Sequence, residues 1–183
     1  MTGTFTRLFR ITLAAGSAVV LAGCVASGGS APRGSHPESL YFPIPDGWTP
    51  AHSAENANQR IVELVRDGET IDRWSQLMTI QSLRKDAIGQ PIESFLAGLR
   101  QEMSKRCAGL AWNVIAAKEA SVLYEWSIRD CAPDPDQHEI ARVMYGKNSV
   151  FRLAFTIKTP ALPAEKRDAL ILALSEARVI DEE

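Results

Sequence analysis

The stretch Ile140-Ala141-Arg142-Val143-Met144-Tyr145-Gly146-Lys147-Asn148-Ser149-Val150-Phe151-Arg152-Leu153-Ala154-Phe155-Thr156-Ile157 decides the architecture. Both arms are rich in branched and aromatic residues, and Gly146-Lys147-Asn148-Ser149 supplies turn chemistry between them, which is the pattern of a β-hairpin. In the second arm Phe151, Leu153, Phe155 and Ile157 fall on one face, while Arg152, Thr156 and Lys158 fall on the other. A hairpin pairs its arms antiparallel, so the sheet that grows from it is antiparallel.

Outward from the hairpin the same signals recur. Val122, Tyr124, Trp126 and Ile128 alternate with Leu123, Glu125, Ser127 and Arg129, a half-buried strand. Trp112 to Lys118 pairs with it through a tight turn at Glu119-Ala120, and Pro133-Asp134-Pro135-Asp136 is a loop. Further upstream Pro91 opens a helix whose Ile92, Phe95, Leu96, Leu99 and Met103 form one apolar stripe. Lys105 and Arg106 suit its last turn, and Gly109 follows. Ala164 to Val179 reads as a second helix burying Leu170, Ile171, Leu174 and Ala177.

Towards the N-terminus, Tyr41 to Trp48 reads as a short edge strand, because Pro43 and Pro45 cannot donate to a ladder. Ala51 to Gln59 is polar and reads as a loop; Arg60 to Val65 and Trp74 to Leu83 read as strands around the Asp67-Gly68 turn. The expected order is β-β-β-α-β-β-β-β-α. That is an α+β fold, an antiparallel sheet of six or seven strands with two packed helices.

The chain of 183 residues, 45% hydrophobic and 23% charged, suits one folded domain. A formal charge of −2 leaves no electrostatic footprint for nucleic acid. The first residues stand apart. Arg7 and Arg10 precede an uncharged, mostly apolar run from Ile11 to Ala22, well short of the roughly 20 residues a spanning helix needs. The run ends in Leu21-Ala22-Gly23-Cys24, which resembles the bacterial lipobox.

On this reading residues 1–23 are a lipoprotein signal peptide, 24–39 a lipidated flexible tether, and 40–183 a single α+β periplasmic domain. Cys24 receives diacylglycerol and an amide-linked acyl chain such as palmitate, and together these make a stable membrane anchor. Val25, in place of Asp, favours sorting to the outer membrane by resemblance to enterobacterial lipoproteins. Losing residues 1–23 removes two arginines and no acid, so lipid rather than charge must hold the mature chain to a membrane.

The remaining cysteines, Cys107 and Cys131, form an even pair in an oxidising compartment and read as a disulfide. The alternative is a metal site of Cys107, Cys131 and His138, which lacks both ligand spacing and a fourth ligand. For catalysis, His138 is the one histidine placed to act as a base, with Asp136 or Glu139 near it, although no G-x-S-x-G turn presents a serine. Asp130, Asp134, Asp136 and Glu139 offer oxygen ligands to a hard cation, or a solvated turn. Glu63 and Glu69 could be paired as an acid and a base, but nothing in the sequence sets one apart from the other, and they read as strand-face and turn residues; Trp48, Trp74, Trp112 and Trp126 read as core or rim packing or as the lining of a pocket. No phosphate loop, dinucleotide fingerprint or zinc motif is present, and no cofactor is expected.

Phe42-Pro43-Ile44-Pro45-Asp46-Gly47-Trp48 resembles the opening strand of the PsbP-like α/β/α sandwich group. Within it, Val62-Glu63-Leu64, Gly68-Glu69, Trp74, Thr79-Ile80-Gln81, Trp126, Asp130-Cys131, His138-Glu139-Ile140 and Gly146 resemble a family of uncharacterised bacterial exported lipoproteins. The resemblance implies an accessory or binding role rather than catalysis, and it transfers no catalytic residue. The expectation is a lipid-anchored cell-envelope protein that binds an envelope protein or a small ligand through one face of its sheet. The alternatives are a small periplasmic hydrolase using His138 and a metal-binding envelope protein.

Overall fold

The computed structural model describes residues 38–89 and 91–181; the expected signal peptide, Cys24 and nearly all of the expected tether lie outside the described residues. From the N-terminal side come β1 (Glu38–Tyr41), β2 (Trp48–Glu55), β3 (Gln59–Arg66) and β4 (Gln76–Arg84). Two helices follow, the single-turn α1 (Lys85–Ile88) and the long α2 (Ile92–Arg106). Then come β5 (Ala111–Lys118), β6 (Ser121–Ile128), β7 (Gln137–Tyr145) and β8 (Ser149–Ile157), and finally α3 (Ala164–Glu176) and β9 (Arg178–Asp181).

Seven strands form one antiparallel sheet in the order β2-β3-β4-β8-β7-β6-β5, and β1 pairs with β9 in a separate two-stranded sheet. Alternation along each strand sends side chains to two different cores. Val122, Tyr124, Trp126, Ala141, Val143, Val150 and Ala154 meet the α2 stripe of Ile92 and Leu96, with Phe95, Leu99 and Met103 at its margin. The alternate residues Leu123, Ile140, Met144, Phe151, Leu153 and Phe155 join Leu64 and Met78 on the other face, under Leu174 and Ala177 of the α3 end. The helices therefore cover opposite faces. Strand β8 is buried along its whole length except at Arg152, which is why its sequence is almost continuously apolar.

The expected class and the antiparallel sheet are present, but the expected element order is not. Tyr41 to Trp48 is not one strand: β1 stops at Tyr41, residues 42–45 are irregular around Pro43 and Pro45, and Trp48 begins β2. The polar segment Ala51 to Glu55, expected as a loop, is the rest of β2. As the outer strand of the sheet it leaves most side chains in solvent and needs few apolar ones. Instead of two helices there are three, because α1 forms ahead of Gly89, whose φ of 62° ends it. The last helix stops at Glu176 rather than Val179. Ala177 leaves helical geometry, and the residues after it pair with β1. The C-terminal end of α3 is held by Arg142, whose Nη1 donates to the carbonyls of Leu174, Ser175 and Ala177 at 3.0, 2.9 and 2.9 Å. No helix among the described residues is long and apolar enough to cross a membrane.

Candidate functional site

The one polar side chain of β8 on its α2 face that carries a charge, Arg152, sits between Gln81 of β4 and Val143 of β7. One rung further on, the fully buried residues are the small Ala154 and Ala141. Their size leaves room for a long side chain to lie across the sheet. Arg152 Nε donates to Tyr124 Oη at 3.0 Å, and its Nη2 donates to Glu139 Oε1 at 2.5 Å. Glu139 accepts two more hydrogen bonds, from Trp126 Nε1 at 2.7 Å and from Thr156 Oγ1 at 3.0 Å.

With side-chain exposures of 12% for Arg152 and 6% for Glu139, both charges depend on these partners to offset lost hydration. Burial alone would favour a neutral guanidine. The charge of Glu139 and the Tyr124 hydroxyl outweigh it and hold Arg152 firmly protonated. Burial in turn pushes the Tyr124 phenol up.

From this centre the same face continues over β4, β3 and β2, where the apolar α2 cluster has no members. A single rung runs His52, Glu63, Thr79, Ala154, Ala141, Tyr124 across six strands. Glu63 is half-buried, and burial raises its carboxyl against the opposing pull of His52 and Arg152. It makes no hydrogen bond to another side chain among the described residues. Beside it Gln81 Nε2 donates to Gln59 Oε1 at 3.4 Å. The half-sheet β2–β4 thus presents a mixed face, in which Gln59, Glu63, Thr79 and Gln81 are interleaved with Ile61, Val65, Leu77 and Leu83, and its unengaged carboxyl group is backed by a fixed arginine.

His138 lies on the opposite face. Its Nε2 is 3.3 Å from Glu125 Oε2, and Glu125 is gripped by Arg167 through Nε and Nη2, each at 2.7 Å, and by Asn113 Nδ2 at 2.9 Å. Arg167, first among these, outweighs burial and drives the Glu125 carboxyl down to about 2. The expected neighbours of His138 are not its partners. Glu139, one residue on, projects to the other face, and Asp136 accepts the Asp130 backbone N–H at 2.9 Å. Ser127 stands opposite His138 in the β6–β7 pair, yet among the described residues no hydroxyl or thiol hydrogen-bonds the ring, and Nδ1 is buried without a partner.

The other sequence candidates disperse. Cys107 and Cys131 are bonded to each other, with Cα atoms 5.3 Å apart, so their sulfurs are not metal ligands alongside His138. Asp134 pairs with Arg106 at 2.7 Å, and no three His, Cys, Asp or Glu side chains among the described residues gather as a cation site. Glu69 accepts from Ser75 Oγ at 2.5 Å within its own loop, apart in role from Glu63. The tryptophans do not line one pocket. Trp112 stacks on Tyr124 at 4.9 Å, Trp48 packs edge-on against Phe155 at 5.7 Å on the other face, and Trp74 lies under Lys158 Nζ at 4.2 Å.

The residues that the sequence did not point to are Arg152, Tyr124 and Glu125. Alternation placed each on a face, but cross-strand register, which only the folded sheet fixes, brings them to their partners. Comparison with protein-family models finds none that matches the chain, and comparison with curated proteins finds no relative.

Proposed function

We propose that the chain is a lipid-anchored protein of the bacterial cell envelope, held through Cys24 and facing the periplasm from the outer membrane. There it serves as an accessory module that binds an envelope protein or a small ligand through the β2–β4 half of its sheet. The anchor rests on the order of basic start, apolar run and Leu21-Ala22-Gly23-Cys24. The likeness to PsbP-like exported lipoproteins supports a binding role. The observation that carries the choice of face is Glu63, a half-buried carboxyl among polar and apolar side chains outside the α2 cluster. Retaining such a group costs stability, and a partner that supplies a donor recovers it. The Glu125–His138 pair resembles an oriented base, but without a nucleophile on the ring it does not carry a hydrolase reading.

Photo-crosslinking in cells tests the proposal, with the reactive side chain placed at Ala54 or Gln59 on this face and at Leu172, which is 65% exposed on α3, as the control. Discrete products from this face alone, weakened by Glu63→Ala, are the expected result. Equal labelling from Leu172, or products with lipid only, would overturn the assignment. In the same cells Cys24→Ser should release the chain from the membrane fraction; a variant that stays membrane-bound refutes the anchor.

A further inference from the structure

The turn between β7 and β8 closes around a carboxylate that comes from the opposite end of the described chain. Glu38, the first residue of β1, is 3% exposed. Its Oε1 accepts the Lys147 backbone N–H, and its Oε2 accepts those of Asn148 and Ser149, each at 2.9 Å. Three successive amides aimed at one anion form a nest of converging partial positive charge.

The turn is braced from its other side. Gly146 N–H donates to Ser149 O at 2.9 Å, Lys85 N–H to Asn148 O at 2.9 Å, and Lys85 Nζ to Gly146 O at 3.2 Å. Carbonyls face α1 and amides face Glu38. Gly146 is required sterically, since a Cβ there would sit 2.5 Å from Glu38 Oε1.

Two further groups face the same anion. Ser149 is 1% exposed; its Oγ meets no hydrogen-bond geometry with any described group, yet it lies against the Glu38 carboxylate closely enough to favour its charge. The Lys147 ammonium, paired with Asp181 at 2.9 Å, adds positive charge nearby. Burial raises the Glu38 carboxyl, and the three amides together outweigh that and bring it below the usual carboxylate value. A depression of about 390 Å³ adjoins the nest, lined by Glu38, Tyr145, Gly146, Lys147, Val179 and Asp181.

The occupant sits at the start of a short segment. Strand β1 has four residues, pairs with β9, and continues into a stretch containing Pro43 and Pro45 with no regular structure; beyond Glu38 the segment is anchored by Leu40 and Phe42 packed on the α3 side, so release of the carboxylate does not require release of the whole strand. We infer that the 146–149 turn is an oxyanion-binding site and that Glu38 is its displaceable resident ligand, so that an external carboxylate or phosphate competes with β1 for the same amides. The donors respond to the carboxylate and not to its origin. Covalent attachment gives Glu38 an effective concentration of order millimolar or above, which an external anion must match or exceed through added contacts in the depression. The inference is independent of the role given to the β2–β4 face.

The test compares the full chain with Glu38→Ala, using sodium acetate and sodium phosphate as probes and sodium chloride at equal ionic strength as control. The variant should melt below the parent and recover with acetate or phosphate but not with chloride. The backbone amides of residues 147–149 should shift saturably in nitrogen–proton spectra, at an anion concentration about tenfold lower in the variant than in the parent. Adding Gly146→Ala to Glu38→Ala should abolish the response, since the new methyl fills the nest. If Glu38→Ala does not fold, Glu38→Gln, which keeps the shape without the charge, is read in the same way. An equal response to chloride, or folded variants whose 147–149 amides do not move, rejects the site. Parent amides that stay fixed at the highest acetate concentration reject displacement.

Discussion

Glu125 is the most heavily used acceptor on the α3 side, taking both arms of Arg167, Asn113 and the approach of His138. Its folded-state pKa of about 2 lies below the ordinary 4.5, so its contribution is fully present above pH about 4.5 and is lost as pH falls towards 2. That difference corresponds to something on the order of 3 kcal/mol. Glu125→Gln should therefore be less stable than the parent at neutral pH, with the gap closing between pH about 4.5 and 2 in denaturant titrations. A gap independent of pH would assign the loss to packing instead. At this scale the sequence exposed its chemistry unevenly. The Cys107–Cys131 bond was expected from the even number of cysteines left after Cys24 and from the expected compartment, and His138 stood out as the histidine entering a strand. Its true partner did not, because Glu125 reaches it diagonally from the neighbouring strand β6. Arg152 was assigned to a face opposite Phe151 and Leu153, yet nothing in the period of two tells a solvated arginine from one enclosed with Glu139.

Among the elements, α2 depends on more than its apolar stripe. Its C-terminal end is fixed by Cys107 to Cys131 in the connection between β6 and β7, across a separation of 24 residues. Cys107→Ser should lower stability by on the order of 3 kcal/mol, chiefly by freeing the unfolded chain. For a domain of this size that means a melting point lower by roughly 10 °C, measured by calorimetry without reductant. An unchanged melting point would show that the bond carries no stability. Helix α2 was legible from its apolar stripe, β6 from its alternation, and β7 and β8 from branched and aromatic arms around the Gly146–Ser149 turn, whereas β5, with no buried side chain, was legible only through the tight turn that joins it to β6. Strand β2 was hidden by its place at the margin, where His52, Ser53 and Glu55 need no apolar cover. Strand β9 was hidden in the tail of α3, since Arg178-Val179-Ile180 suits either state and only pairing with β1 decides it.

For the molecule as a whole, the class could be read from hairpins and two amphipathic helices, but not that the helices lie on opposite faces, nor which strands meet in the middle. The centre is β8, enclosed by α2 on one side and α3 on the other, whereas β1 and β9 form a two-stranded ribbon with mostly exposed or half-buried side chains. Native-state hydrogen exchange should find the β4, β7 and β8 amides opening only with global unfolding, and those of Ser39 to Tyr41 opening locally and much faster. Equal protection of the two groups would mean that the ribbon unfolds with the core. The order β2-β3-β4-β8-β7-β6-β5 also has a kinetic meaning. Within that sheet every pairing joins consecutive strands except β4 with β8, which runs over nine residue pairs from Gln76–Ile157 to Arg84–Ser149. Two meanders therefore assemble from short-range hairpin steps, each on a timescale of about microseconds, while their union must bring together segments separated by about half of the domain. The rate-limiting step of folding is therefore expected at that seam, and substitutions in the β4–β8 pair should slow folding more than those in either meander. A chain stalled before it exposes two unsealed edges, β4 and β8, the latter among the most apolar strands in the protein and the one most open to pairing with another molecule.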